Sequence, residues 1–128
     1  MKSFTIQSPH TAFMSVYVCR EPGQTLQLIN EMTELLSAEY EGVESTPVEP
    51  ESLGLDGFDV DFHVVDLNFG YLDLFVTARL IAYAYPEQTV LVQCQAEDRE
   101  FDSLEQVFRA MLISMIQRKN EKTSPDPS

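Results

Sequence analysis

Residues 71 to 85 read Tyr-Leu-Asp-Leu-Phe-Val-Thr-Ala-Arg-Leu-Ile-Ala-Tyr-Ala-Tyr. Apolar residues occupy both alternating sets of positions: Leu72, Leu74, Val76, Ala78, Leu80 and Ala82 in one set, and Tyr71, Phe75, Ile81 and Tyr83 in the other. Because successive side chains of a strand point to opposite faces of a sheet, both faces of such a strand are buried. The stretch therefore predicts a central strand with a layer of structure on each side of the sheet.

The segments around this stretch predict the rest of an antiparallel sheet. Phe58 to Asp66 alternates between apolar and polar residues, and Asn68 to Gly70 supplies turn residues for a hairpin into the central strand. Ala12 to Cys19 and Thr89 to Ala96 also read as strands, and Phe4 to Ile6 as a short one.

Two amphipathic segments predict the covering helices. Thr25 to Tyr40 places six apolar residues on one half of a helical wheel: Leu28, Ile29, Met32, Leu35, Leu36 and Tyr40. The second helix is expected to begin near Asp102 or Ser103, with an apolar stripe formed by Phe101, Leu104, Phe108, Met111 and Met115. The expected fold class is α/β (α+β): an α/β/α sandwich, with a central antiparallel sheet and one helix on each face. We expect residues 1–120 to form one domain and residues 121–128 to be a disordered tail.

The acidic residues are concentrated in one part of the chain. No Lys or Arg lies between Arg20 and Arg79, whereas thirteen acidic residues lie from Glu21 to Asp73, and the remainder of the chain is balanced. This region therefore accounts for the net charge of −13. Such a field repels nucleic acid and anionic lipid and favours encounter with a basic partner. The residues expected to form the partner surface are Glu31, Glu34, Asp59 and Asp61. The alternative is that the acidity serves solubility only.

The sequence offers little for catalysis. His10 and His63 are the only histidines, and no nucleophile elbow, phosphate-binding loop, dinucleotide fingerprint or zinc-protease motif occurs. Cys19 and Cys94 each fall in a predicted strand and are expected to be buried free thiols, with a disulfide as the alternative. We therefore expect no enzyme activity, no catalytic residue and no cofactor.

A divalent metal site has one candidate set of ligands, namely Asp59, Asp61 and His63. On one strand face these side chains would lie about 7 Å apart, so two of them would need help from a neighbouring strand, for example from Asp73. We favour the alternative, an exposed polar face, and expect no metal. Several tyrosines near strand ends could anchor a ligand or cap the core: Tyr17, Tyr71, Tyr83 and Tyr85.

The chain contains no stretch of about 18 consecutive apolar residues, and its first residues have no apolar signal region. We expect no membrane insertion and a cytoplasmic location.

Three sets of residues carry a resemblance to a known family. They are Gly57 at the start of a long strand, Tyr83 with Val90 to Val92 before the last helix, and Phe108-Arg-Ala-Met-Leu-Ile-Ser114 within it. With the order of elements, they resemble the PsbP-like superfamily, which includes PsbP, bacterial DcrB-type proteins and Ran-GTPase release factors. The resemblance spans roughly residues 4 to 117 and implies the same sandwich fold. Because most of these proteins bind other proteins, it also implies a binding role.

Two functions follow as expectations. The first is a protein-binding domain of the assembly-factor or chaperone type, which presents its acidic surface to a partner that could be basic and is not nucleic acid. The second is a module that binds a small molecule or a divalent metal through Asp59, Asp61, His63 and the tyrosines.

Overall fold

The computed structural model describes the backbone of residues 2–7 and 12–123 and the side chains of residues 12–118. The chain forms an α+β fold with a six-stranded sheet and two helices. Its elements in chain order are β1 (Lys2–Gln7), β2 (Phe13–Cys19), α1 (Thr25–Glu39), β3 (Glu44–Pro47), a 3-10 turn (Pro50–Leu53), β4 (Phe62–Tyr71), β5 (Leu74–Tyr85), β6 (Gln88–Glu97) and α2 (Asp98–Thr123). The first three residues of the predicted tail, 121–123, belong to the end of α2. His10 and residues 124–128 lie outside the described residues.

The strands lie in the order β1-β2-β6-β5-β4-β3, and every neighbouring pair is antiparallel. Strands β4, β5 and β6 form a meander, in which Ile81 of β5 lies between Val64 of β4 and Val92 of β6. The predicted doubly buried strand is confirmed from Val76 to Tyr83, where every residue except the half-buried Arg79 is buried.

Two hydrophobic clusters hold the helices against the sheet. In the α1 cluster, three buried helix residues pack with the β5 residues Val76, Ala78, Leu80 and Ala82; the helix residues are Leu28, Ile29 and Leu36. In the α2 cluster, four buried helix residues pack with Ile81, Tyr83 and Tyr85 of β5; the helix residues are Phe101, Phe108, Leu112 and Ile116. The two helices thus pack with alternate residues of the same strand.

The hairpin between β4 and β5 differs from the sequence prediction. The predicted strand from Phe58 to Asp66 is wrong in its bounds, because β4 runs from Phe62 to Tyr71, and the predicted turn from Asn68 to Gly70 lies inside it. The turn is instead formed by Leu72 and Asp73, which have φ angles of 49° and 65°. Positive φ at both central residues is typical of the type I′ turn, whose twist matches that of the flanking strands.

Candidate protein-binding surface

The four acidic residues that the sequence assigned to a partner surface are all exposed. Glu31 and Glu34 lie on the exposed part of α1, where the Gln27 side-chain amide donates a 3.0 Å hydrogen bond to Glu31. Asp59 and Asp61 lie between the 3-10 turn and β4. The four carboxylates therefore belong to two separate segments of the chain.

The residues that could have formed a metal site do not share a strand face. Asp59 and Asp61 precede β4, and only His63 lies within it, so the expected alternation on one strand is wrong. The His63 Nδ1 atom lies 2.9 Å from the Thr25 hydroxyl at the start of α1, whereas Asp73 lies at the opposite end of β4. Among the described residues, no group of three or more His, Cys, Asp or Glu side chains is placed to hold a metal ion.

The two cysteines are free thiols. Cys94 is buried within the α2 cluster, and its burial raises the pKa of the thiol to about 12. Because the nucleophilic form of cysteine is the thiolate, Cys94 is inert near neutral pH. Cys19 is partly buried beside the α1 cluster. The tyrosines near the strand ends also differ in burial. Tyr83 and Tyr85 are core residues, whereas Tyr71 is exposed.

The end of the β4–β5 hairpin exposes a group of large apolar side chains. Seven such side chains are exposed among residues 12–118, and four of them fall within five consecutive positions: Tyr71 (51%), Leu72 (77%), Leu74 (38%) and Phe75 (74%). Apolar residues exposed singly are ordinary on a protein surface, but a contiguous apolar patch is typical of an interaction site. We call residues 71–75 the hairpin end.

The side of the hairpin end that carries Leu72 and Leu74 is exposed because α1 is too short to cover it. Thr25 at the start of α1 contacts His63 near the start of β4, and Tyr40, which follows the helix, stacks on Phe69 near the end of β4. The 15 residues of α1 span about 22 Å, whereas the 12 residues of β5 span about 40 Å. Tyr40 is extended, with φ −121° and ψ 148°, so the chain leaves the helix before the sheet ends.

An apolar cleft of about 280 Å³ lies where α1 ends beside the hairpin end. The Tyr40 ring stacks on Phe69, with 4.3 Å between ring centroids, and meets the edge of Tyr71 at 5.5 Å. The side chain of Gln95 hydrogen-bonds the Tyr40 hydroxyl, whose pKa is raised, mainly by burial. The floor of the cleft is buried, and residues of the hairpin end form one of its walls. The cleft is lined by Tyr40, Phe69, Tyr71, Leu72, Leu74, Val76, Gln95, Ala96 and Glu97. We call it the hairpin cleft.

The opposite face of the hairpin end carries Phe75. Its cross-strand neighbour is Gly70, which has no side chain to cover the ring. A hollow of about 250 Å³ next to Phe75 is lined largely by charged residues from the turn and from the junction of β6 with α2, namely Asp73, Glu97, Asp98 and Arg99. The Arg99 guanidinium contacts Glu97 at 2.7 Å. The hairpin end is therefore apolar on both faces and bordered mostly by acidic residues.

A larger groove of about 590 Å³ lies between β2 and α2. Three methionines contribute to its lining, and Arg118 is its charged residue; the lining residues are Met14, Val16, Gln106, Val107, Ala110, Met111, Ser114, Met115 and Arg118. Its volume falls in the range of small-molecule sites, about 300–1,000 Å³. We call it the helix groove.

No helix of the described part of the chain has the length and apolarity needed to cross a membrane.

Comparisons with known proteins identify a structural likeness. No family model matches the chain, and no curated protein matches it. The fold is similar to the crystal structure of PA94 from Pseudomonas aeruginosa, a protein of unknown function that bears the further description "Putative Regulator". The TM-score is 0.52 and the identity 9%, over 99% of this chain and 85% of that one. At this identity the likeness shows a shared fold alone.

Proposed function

We propose that this chain is a non-enzymatic protein-binding domain of the assembly-factor or chaperone type, which docks on its partner through the hairpin end. The observation that carries the proposal is the exposure of Tyr71, Leu72, Leu74 and Phe75 within one turn of the chain. An exposed apolar group bordered by polar residues is the usual anatomy of a protein–protein contact, in which aromatic residues supply much of the binding energy.

The proposal also covers the arrangement of the helices on the sheet, the protein family and the cellular location. Packing of α1 and α2 with alternate residues of β5 supports an α/β/α sandwich with one helix on each face. The order of the elements supports membership of the PsbP-like superfamily, whose members mostly bind proteins. We also propose a cytoplasmic location, as the sequence indicates.

The acidic residues have a place in this function. Asp73, Glu97 and Asp98 border the hairpin end, and further carboxylates lie at Glu31, Glu34, Asp59 and Asp61. A surface of one sign accelerates encounter with a partner of opposite sign and disfavours partners of the same sign. The proposed partner is therefore a protein with a basic surface rather than nucleic acid.

Site-specific photo-crosslinking in the native organism tests this function. A photo-reactive phenylalanine analogue placed at Phe75 should capture a defined partner, whereas the same analogue at Val107, an exposed apolar position on α2, should not. The Leu72→Asn/Phe75→Ser variant should lose most of the partner in co-purification, and the exposed helix variant Leu35→Asn should retain it. Identical capture from both crosslinking positions, or full retention by the hairpin variant, would contradict the proposal.

The helix groove favours one alternative, a small-molecule-binding module, because its volume of about 590 Å³ suits a small apolar ligand. A thermal-shift screen with fatty acids, apolar metabolites and divalent ions tests this alternative. A shift that Ala110→Trp abolishes would favour the groove, and a shift with an ion that Asp59→Asn/Asp61→Asn abolishes would favour the metal version. Absence of any shift would remove both.

A further inference from the structure

We infer that the hairpin cleft receives a large apolar side chain from a basic amphipathic segment of the partner, with Lys or Arg next to that side chain. The inference rests on the proposed function and deepens it. It assigns the anchoring contact to one of the two faces of the hairpin end and names the chemistry of the segment that binds there.

The lining of the cleft suits a large apolar side chain, and its volume of about 280 Å³ has room for one. Phe69, Val76 and Ala96 form a buried apolar floor, and Gln95 and Glu97 are the polar residues of its lining. The Gln95 side chain already hydrogen-bonds Tyr40. An apolar anchor in a pocket with a polar rim is the usual form of a hot-spot contact between proteins.

The cleft is also preformed. Tyr40 is held between the stacked ring of Phe69 and the edge of Tyr71, and its hydroxyl is bonded to Gln95. These contacts join the end of α1 to strands β4 and β6. Because the wall is already ordered, a partner side chain can enter without the entropic cost of arranging it.

The charges next to the cleft select a basic segment. Glu97 lines the cleft, Asp73 lies at the turn, and the charge of Glu39 acts on Tyr40. Arg99 contacts Glu97 through Nε at 2.8 Å and through an amino nitrogen at 2.7 Å; the Arg99 side chain is 82% exposed and that of Glu97 is 18% exposed. A partner cation that approaches from the solvent can compete with Arg99 for Glu97. An anionic membrane surface would meet carboxylates here, so the observations favour a protein segment.

The two faces of the hairpin end provide matched variants. Leu72 lines the cleft, whereas Phe75 lies outside it and borders the hollow on the opposite face. The two side chains have nearly equal exposure, 77% and 74%, so replacing either removes a similar share of exposed apolar surface. Asn is suited to the positive φ of Leu72, so Leu72→Asn should fold at least as well as the parent chain.

A synthetic amphipathic peptide of 14 residues, composed of Leu and Lys, is the probe. Fluorescence anisotropy at about 0.15 M salt should show binding to the parent protein. The Kd should rise about fivefold or more for Leu72→Asn and less than about twofold for Phe75→Ser. The pair Asp73→Asn/Glu97→Gln should weaken binding more than Glu49→Gln/Glu51→Gln, which removes the same charge at exposed positions outside the partner surface.

The inference would be overturned if the Leu–Lys peptide did not bind, or if a Leu–Glu counterpart bound equally well. It would also be overturned if the two charge pairs had equal effects on binding, or if Phe75→Ser weakened binding more than Leu72→Asn. Preferential binding to phosphatidylglycerol vesicles would also overturn it, in favour of a membrane. Each of these results leaves the proposed function standing if crosslinking at Phe75 still captures a partner that Leu72→Asn/Phe75→Ser loses. If crosslinking fails as well, both proposals fail.

Discussion

Leu72 occupies a backbone conformation that its side chain disfavours, whereas Asp73, which also has a positive φ, is a residue type that tolerates it better. Left-handed φ angles cost an L-residue about 1–2 kcal/mol, and type I′ turns accordingly favour Asn-Gly. Leucine has no side-chain polar group to offset this cost, and here its side chain is also 77% exposed. Strained residues of this kind cluster at functional sites, which agrees with a binding role for the hairpin end.

Replacing Leu72 by Asn and Asp73 by Gly should therefore stabilise the protein while weakening partner binding. We expect the free energy of unfolding to rise by about 1–2 kcal/mol, because both new residues tolerate positive φ. Urea denaturation measures the change. In the control Leu35→Asn, on the exposed part of α1, stability should instead fall by about 0.5 kcal/mol, since Asn has a lower helix propensity than Leu. A loss of stability in the double variant would show that the turn is not strained.

The exposure of the hairpin end was not predicted from residue patterns. Tyr71, Leu72, Leu74 and Phe75 belong to the stretch that predicted a doubly buried strand, and for these residues that prediction is wrong. Alternation shows which face a residue occupies, but it does not show whether a covering layer reaches that far. For the residues on the α1 face, the lengths of the predicted elements would have shown this: a helix of 16 residues spans about 24 Å, whereas a strand of 15 residues spans about 50 Å.

The meander and both helices were predictable from the sequence, but the residues at which several of these elements begin and end were not. Asn68 and Gly70 have the local preferences of a turn, yet the Asn68 amide donates a 2.8 Å hydrogen bond to Thr77, and Gly70 pairs with Phe75. Burial of Leu67 and Phe69 against α1 selects this register over the local preference. Phe58 and Val60 pack against the α2 cluster without being part of a strand, so their alternation predicted burial correctly and strand structure incorrectly.

Helix α2 begins at Asp98, before the predicted start at Asp102 or Ser103. Asp98 accepts a 2.6 Å hydrogen bond from the Thr77 hydroxyl, which in turn accepts one from Asn68, so the first helical residue is tied to β5 and β4. Asp98 and Glu100 also place negative charge in the first turn, where the helix dipole favours it. The Ser103 hydroxyl donates to the Glu100 carbonyl and does not cap the helix.

Two adjacent leucines of α1 should respond very differently to truncation. Leu36 is 6% exposed and belongs to the α1 cluster, so Leu36→Ala should lower the free energy of unfolding by about 2–4 kcal/mol. Leu35 was predicted on the apolar half of the same helix, but it is 64% exposed, so Leu35→Ala should change stability by less than about 0.5 kcal/mol. Chemical denaturation of the two variants compares them directly. Equal losses would contradict the observed orientation of α1.

At the scale of the whole molecule, the net charge of −13 opposes compaction. Thirteen carboxylates lie in a region of sequence without Lys or Arg, from Glu21 to Asp73. Within that region, Asp66 has a close cationic partner: the Arg79 Nε atom lies 2.8 Å from its carboxylate, and the Arg79 guanidinium also lies over the Phe101 ring. Repulsion among like charges destabilises the folded state, and salt reduces it.

We therefore expect the melting temperature to rise when NaCl is increased from about 10 mM to about 100 mM, as the Debye length falls from about 30 Å to about 10 Å. Differential scanning calorimetry at pH 7 measures the effect. A variant with Glu31→Gln, Glu34→Gln, Asp59→Asn and Asp61→Asn should show a smaller rise, because fewer carboxylates repel one another. A melting temperature that is independent of salt in the parent protein would contradict this account.

The strand order also determines how the chain must be assembled as it is synthesised. Strand β2 lies beside β6, and the Tyr17 hydroxyl donates to the side chain of Gln93, 76 residues later. At about 5–20 residues per second, a ribosome completes β2 about 4–15 s before that part of β6 emerges. The β1–β2 pair must wait during this interval, whereas β4, β5 and β6 can pair as soon as each is made. We therefore expect the meander to form first and the N-terminal pair to dock on β6 last.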